Sequence, residues 1–519
     1  MTERSPDRKL RRRSYLKALS AGVVGVGLAG CGESDSPSTA TSTPANETSQ
    51  ENEIPYSNEY QTVVDVTEAG ADLDEERPID ELLGRVAGDN TLLHFPKGVY
   101  RVEDYLNFEK LRNFGIVGDD AVIRPPEGFT GTIMSFSGVN GFRLEGITVD
   151  SSAKNTGARL QVLCEAGTNV VRDVRMKGYH DVSETHTHAF NIEAKGANTE
   201  LLFENVDMSD GARNGTAVFI YPASDPGSIT FKDCRIVGWY VQGLYGSAHG
   251  GPLQILGGEY ANNGLAQIRV GGGNGDTQAV VRGAKVRVDE THGGAANMRG
   301  IWLKEGDNTL IEDCDIRITN LEGTTSSGGI VVDREHGRAT IRNTKIHIDA
   351  PTYGIKARYP KAENFYAPSL RGRPDSWDLS VENLRITGNG NDWSGILLQG
   401  RANSALTGVE IQQPGTDRDG IIVSESPRTR LDELSIVAGR YPLVVGLERQ
   451  EDTCGVELGE VNELETRSER ADGDVQRYLL GESPPYCLSG ELLESGSESG
   501  DLAITGVDQS AVQGYVVDG

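Results

Sequence analysis

Positive charge is scarce in this chain. Against 77 Asp and Glu stand 50 Lys and Arg, a formal net charge of −27, and most of the basic residues are Arg. Nucleic-acid binding needs a basic face, so DNA and RNA are excluded as partners. Aromatic residues make up only 6%, which suits a thin core. Long apolar runs are missing as well. The stretch from Ala18 to Ala29 holds about a dozen residues, short of the ~20 that span a ~30 Å hydrocarbon core. No Ser-His-Asp signature or phosphate loop is evident. An acidic disordered chain is excluded by the opposite argument, because 37% hydrophobic residues arranged in period-2 runs can offset the entropy of folding.

The abundances point to an elongated repeat. At 519 residues the chain exceeds the ~250–300 at which single cores stop growing. A stacked architecture escapes that limit because each unit buries its face on its neighbour. Glycine, at 65 residues, supplies many tight corners. The acidic, Lys-poor composition resembles that of proteins from salt-loving archaea, where high ionic strength screens self-repulsion.

The N-terminal residues form an address. Arg12-Arg13-Ser14-Tyr15-Leu16-Lys17 resembles a twin-arginine export signal, and Leu28-Ala29-Gly30-Cys31 resembles a lipobox whose Cys is lipidated. Together they imply export by the twin-arginine translocase, with Arg12 and Arg13 as the export signal. They also imply a lipid on Cys31 that holds the chain at the extracellular face of the cell membrane. Residues 32–58 are Ser, Thr, Pro, Glu and Asn, a flexible tether. The expected organisation is signal and lipobox (1–31), linker (32–58), N-terminal cap and first coils (59–141), solenoid (142–450), and C-terminal cap with acidic tail (451–519).

From Phe142 one phrase recurs: apolar, polar, then Asp, Asn or Gly, then apolar or small, polar, apolar. Ile229-Thr-Phe-Lys-Asp-Cys234-Arg-Ile236 and Leu310-Ile-Glu-Asp-Cys314-Asp-Ile316 are good copies. Weaker ones centre on Ile147, Val174, Val206, Gly258, Ala284, Val409 and Leu434. A second phrase, Gly followed by alternating apolar and variable residues, lies between them, as in Gly300-Ile-Trp-Leu-Lys304 and Gly354-Ile-Lys-Ala-Arg358. Two or more short strands per coil, always in one order, predict an all-β parallel β-helix of about 11 or more coils. Right-handed crossover is the rule for parallel strands. Helical spacing of Ile79, Leu82, Leu83 and Val86 predicts an amphipathic capping helix. Cys234 and Cys314 fall in one inward slot, three coils or ~14 Å apart, too far for a disulfide that needs Cα atoms within ~7 Å. Cys454 and Cys487 are the only plausible pair.

Asp65-Val-Thr-Glu-Ala-Gly-Ala-Asp72, the helix, Leu93-His-Phe-Pro-Lys-Gly-Val-Tyr100 and Gly115-Ile-Val-Gly118 resemble the N-terminal region of pectate-lyase-like right-handed β-helix proteins. The resemblance covers some 60 residues specifically and the rest in style. It implies the fold, and carbohydrate as the ligand class. It does not fix a reaction, because the fold also serves hydrolases, epimerases and adhesins.

The variable residues of the second phrase then form a surface ladder at ~4.8 Å per coil. They are Asn191 and Glu193, Phe219 and Tyr221, Tyr245, Arg269, Trp302 and Lys304, Val331 and Asp333, Lys356 and Arg358, Leu397 and Gln399. Aromatic faces suit sugar rings, and Arg and Lys suit carboxylates or sulfates, so an acidic polysaccharide is the expected partner. A plain coat of long side chains is the alternative. Glu193, Tyr221, Trp302, Asp333, Lys356 and Arg358 are the expected substrate-binding residues. If the protein is an enzyme, β-elimination needs a base and a cation to neutralise the carboxylate; His188, Tyr245, Arg269 and Lys304 are the catalytic candidates. Hydrolysis ranks lower, since Glu193 and Asp333 lie several coils apart and the clustered Asp of a polygalacturonase-like site is missing. His186 and His188 are candidate metal ligands, and a divalent cation such as calcium is the candidate cofactor. Gly271-Gly-Gly-Asn-Gly-Asp276 resembles a calcium-binding nonapeptide but occurs once, and reads as a corner. Non-catalytic adhesion or envelope-glycan binding is the competing function.

Overall fold

A computed structural model describes residues 54–446 apart from 74, 184–187, 273–276, 292–296, 362–373 and 375. It also describes the strands Val456–Leu458, Val461–Thr466 and Leu488–Ser489. The export signal, Cys31, residues 32–53 of the expected linker, His186, Cys454 and Cys487 lie outside the described residues; the linker's last residues, 54–58, are described, and Tyr56 OH donates to Glu145 at 2.9 Å.

The architecture is a parallel β-solenoid of about 13 turns. Its strands pair in parallel with the equivalent strand one turn on, and the pairing starts at Thr62–Asp65. Three faces can be followed. Sheet A includes Phe190–Ala194, Val218–Ile220, Gln242–Gly246, Ala266–Val270, Arg299–Gly306, Ile330–His336, Ile355–Ala357 and Ser394–Gln399. Sheet B includes Ser228–Lys232, Leu253–Leu256, Ala279–Arg282 and Thr309–Glu312. Sheet C includes Arg235–Val237, Glu259–Ala261, Lys285–Val288 and Asp315–Ile318.

The repeated phrase has a backbone cause. Its Asp, Asn or Gly slot is the corner between sheets B and C, and it takes left-handed φ. Asp173, Asn205, Asp233, Asp313, Asn343 and Asn383 lie at φ 50 to 54°, and Gly257, Gly283 and Gly408 take the slot in other turns at φ 66 to 67°. These residue types tolerate that region with least strain. Glu433 occupies the same slot at φ 53°, an exception to the chemistry but not to the geometry. Some corners also bond along the stack, as where Asn383 Nδ2 donates to Asn343 Oδ1 at 3.3 Å.

Alternation in sheet A sends one row inward. Leu244, Ile268, Ile301, Ile330, Ile355, Ile396 and Ile421 are in register and 0% exposed. Each such side chain contributes about 1.5–3 kcal/mol by leaving water. In the early turns the core is aromatic: Phe108, Phe114, Phe136 and Phe142 stack with centroids 4.3 to 6.5 Å apart. The helix α1 spans Asp80–Val86, with Ile79 as its N-cap, and Ile79 and Leu83 join this core. Cys164, Cys234 and Cys314 are buried free thiols, and burial pushes Cys314 up to about 11. Among the described residues no helix is long and apolar enough to cross a membrane.

Candidate functional site

The outward row of sheet A runs Asn191, Phe219, Tyr245, Arg269, Trp302, Val331, Lys356, Leu397, each paired with the next. Its first half is a continuous stack. The His188 ring lies on Phe219 at 5.2 Å, and Phe219 on Tyr245 at 4.8 Å. The Arg269 guanidinium sits over Tyr245 at 4.0 Å and over Trp302 at 4.6 Å, and Arg299 covers Trp302 at 4.0 Å. His188 is in the corner before its strand rather than in it. That frees it from the inward parity of Phe190 and Ile192, so its ring reaches the outer row. Its Nδ1 accepts the Thr216 N–H at 3.3 Å.

The expectation that Trp302 and its neighbours lie exposed is corrected by the structure. Trp302 is 8% exposed, Arg269 7% and Asp333 4%. Long cations and flat rings lie down on the sheet and cover one another, so the outer face acquires a small interior of its own. Trp302 packs against Ala266 and Val331. The corner at Gly272 packs on the backbone that follows the Trp302 strand: Gly272 N–H donates to Glu305 O at 2.8 Å, and a Cβ on Gly272 would lie 1.7 Å from Asp307 O. Close packing of backbone on backbone therefore requires glycine at 272.

Asp333 is the electrostatic centre. Its Oδ2 accepts the Trp302 indole N–H at 3.0 Å and lies 3.2 Å from Lys304 Nζ, while Oδ1 accepts from Arg358 Nη1 at 3.2 Å. Desolvation opposes ionisation, but Lys304, a backbone N–H and Arg358 outweigh it and hold the carboxyl below its usual range. Lys304 also donates to Glu335 at 2.7 Å. Arg269 pairs with Glu305 at 3.1 Å, with exposures of 8% and 1%. Lys304 and Arg269, expected as candidate bases, are thus each paired with carboxylates.

Two cations lack that compensation. Among the described residues neither Arg299 nor Lys356 forms an ion pair. Lys356 lies over Tyr353 at 4.4 Å. Burial pushes its amine down to about 8, reinforced by the neighbouring Arg358, Arg299 and Arg334. Burial likewise lowers Arg299 to about 10, with Arg358 and Arg269 adding to the effect and the Asp333 carboxylate opposing it.

Of the other candidates, Tyr221 meets Phe219 of the stack edge to face at 5.3 Å, and Glu193 lies apart. Tyr221 OH accepts from Asn191 Nδ2 at 2.9 Å, toward the N-terminal end of the row. Glu193 lines a separate pocket of about 220 Å³ with Leu163, Glu165 and Lys195. Burial, and then the charge of Glu165, raise its pKa against the opposing pull of Lys195. Among the described residues no group of three His, Cys, Asp or Glu is placed to hold a metal.

Sequence reasoning missed Arg299, Arg401, Tyr353 and Trp393. Arg299 and Tyr353 occupy the slot before the glycine of the second phrase, where a signal existed. Arg401 left none. It is 0% exposed, and its guanidinium donates to Asp333 O at 2.8 Å and His336 O at 3.2 Å, and through Nε to Arg358 O at 3.0 Å. It ties together the backbones of two site residues, a pairing visible only once the turns are stacked.

No family model matches the chain, and no curated protein is similar in sequence. The solved structures similar to this chain include two parallel β-helix proteins. One is the Azotobacter vinelandii mannuronan C-5 epimerase AlgE4 A-module, at 14% identity and TM-score 0.42, covering 69% of this chain and 99% of that one. The other is the Streptococcus pneumoniae surface protein and adhesin PfbA, at 12% identity and TM-score 0.42, covering 74% and 99%.

Proposed function

We propose that this is an exported, lipid-anchored protein that binds an acidic polysaccharide along sheet A. The observation that carries the reading is the pair of cations, buried Arg299 and half-buried Lys356, neither of them in an ion pair among the described residues and each over an aromatic ring. Cations pair with the carboxylates or sulfates of such a chain, and the half-buried rings of Phe219, Tyr221 and Tyr245 add apolar surface for its pyranose units. The twin-arginine segment and the lipobox at Cys31 support export by the twin-arginine translocase and anchoring at the outer face of the cell membrane. The acidic, Lys-poor composition supports a halophilic setting, in which salt screens the net charge.

Cleavage by β-elimination is the finer reading. It would need a base, and Lys356 suits that role better than Lys304, Arg269 or Tyr245. Its amine lies near neutrality and faces a group of arginines able to neutralise a uronate. Calcium remains a proposed cofactor with no group of ligands among the described residues to hold it. Binding is the primary reading, because the carboxylates of the row are occupied by internal pairs.

The test is titration with uronate, sulfated and neutral polysaccharides, followed by ultraviolet absorbance for unsaturated uronate. Affinity for the anionic chains alone is the expected result. Growth of absorbance would establish a lyase. Equal or absent affinity for all of them would reduce the row to a coat of side chains.

A further inference from the structure

Trp393 is exposed, at 49%, whereas Trp377 is half-buried and Trp239 and Trp302 are buried. Its backbone is strained. Asp392 and Trp393 sit consecutively at φ 58° and 62°, in the left-handed region that costs a bulky side chain roughly 1–2 kcal/mol. A large apolar ring held in water on a strained backbone stabilises nothing by itself. Such strain persists where its surroundings over-determine it.

The surroundings do so here. Arg418, 0% exposed, donates through Nη1 to the carbonyl of Asp392 at 2.8 Å and also to the carbonyl of Thr352. Those residues immediately precede Trp393 and Tyr353. Gln413 Oε1 holds the other side of the same guanidinium, 3.0 Å from Nε and 2.7 Å from Nη2. The Asp419 N–H bonds the Trp393 carbonyl at 2.9 Å. One buried cation therefore fixes two loops from successive turns. The rings they carry meet at 4.9 Å, with Lys356 Nζ 4.4 Å from Tyr353 and 5.8 Å from Trp393. Tyr353 is 8% exposed and packs tilted against the indole, which remains half in solvent.

We infer that Trp393, packed against Tyr353 and flanked by Lys356, is an outlying subsite for one uronic-acid unit, with Arg418 as its positioning residue. The exposed indole takes the apolar face of the sugar, and the ammonium takes its carboxylate. Lys356 lies two turns from Trp302 in the outward row, ~10 Å at ~4.8 Å per turn. A chain lying along sheet A reaches the subsite only if it is long enough. The inference rests on the acidic-polysaccharide reading and adds a location and a length requirement to it.

The test uses the wild-type chain and Trp393→Gly with size-graded oligogalacturonates. Glycine removes the ring and also relieves the left-handed strain. Trp393→Gly should therefore melt no lower than wild type yet lose at least about fivefold in affinity for the longer oligomers. The shortest oligomers should be unaffected. In wild type, saturating long oligomers should protect an accessible tryptophan from acrylamide, and that protection should vanish in Trp393→Phe to the extent that the indole reported it. Wild-type binding with equal Trp393→Gly affinity at every length would overturn the subsite and leave the parent reading standing. No wild-type binding to any oligomer or to the parent polymer would remove both. A lowered melting temperature in Trp393→Gly, matched by an affinity loss at all lengths, would make the ring a structural brace and overturn the subsite.

Discussion

Trp302 donates its indole N–H to Asp333 at 3.0 Å across adjacent turns of sheet A. The bond joins a ring that is 8% exposed to a carboxylate that is 4% exposed. It explains why the row behaves as packed structure as well as surface.

Trp302→Ala should accordingly be a stability variant. It opens a cavity, removes one of the donors to Asp333 and unstacks Arg269 and Arg299. Losses of about 3–5 kcal/mol are typical of such truncations. Denaturant unfolding should show a lower midpoint at an unchanged slope. Trp302→Phe should recover most of the packing but not the hydrogen bond.

Lys304→Ala and Arg358→Ala should each destabilise as well, by about 1–3 kcal/mol, because each removes a partner from a carboxylate that is 4% exposed. Combined with Asp333→Asn they should cost less than the sum, since the buried charge is then gone. A double-mutant cycle on melting curves measures this. Additive losses would show that Asp333 does not couple the two cations.

Affinity for an anionic glycan should fall as pH rises through about 8, where Lys356 loses its proton. Lys356→Arg should flatten that profile. Stability moves the other way. Between about 8 and the ordinary 10.5 the unfolded chain binds the extra proton, so Lys356 makes stability rise with pH over that window. Its penalty is fully present below about 8. Titration calorimetry and melting at matched pH separate the two trends.

Glu433→Gly should stabilise the protein by about 1 kcal/mol, because its φ of 53° suits glycine better than glutamate. Asn343→Ala should destabilise by a similar amount for the same reason. Thermal melts of the pair test whether the corner slot is set by backbone conformation.

Cys31→Ser should release the exported protein from the membrane fraction. Retention of the full amount at the membrane would remove the lipid assignment.

The sequence by itself determined the coil. A left-handed corner can be read from one residue type, so the recurring Asp, Asn and Gly marked the turns. Strict period-2 alternation sorted inward from outward residues and put Tyr245, Arg269, Trp302 and Lys356 in one row. Tertiary structure alone decided how that row lies. Side chains 31 to 68 residues apart along the chain, such as Trp302 with Asp333 and Arg401 with Asp333, become neighbours through the stacking of turns. Their mutual burial depends on which rotamers lie flat across adjacent turns, which no local pattern encodes. The same holds for Trp393. Its exposure and strain follow from Arg418, a buried cation whose carbonyl partners come from two other turns.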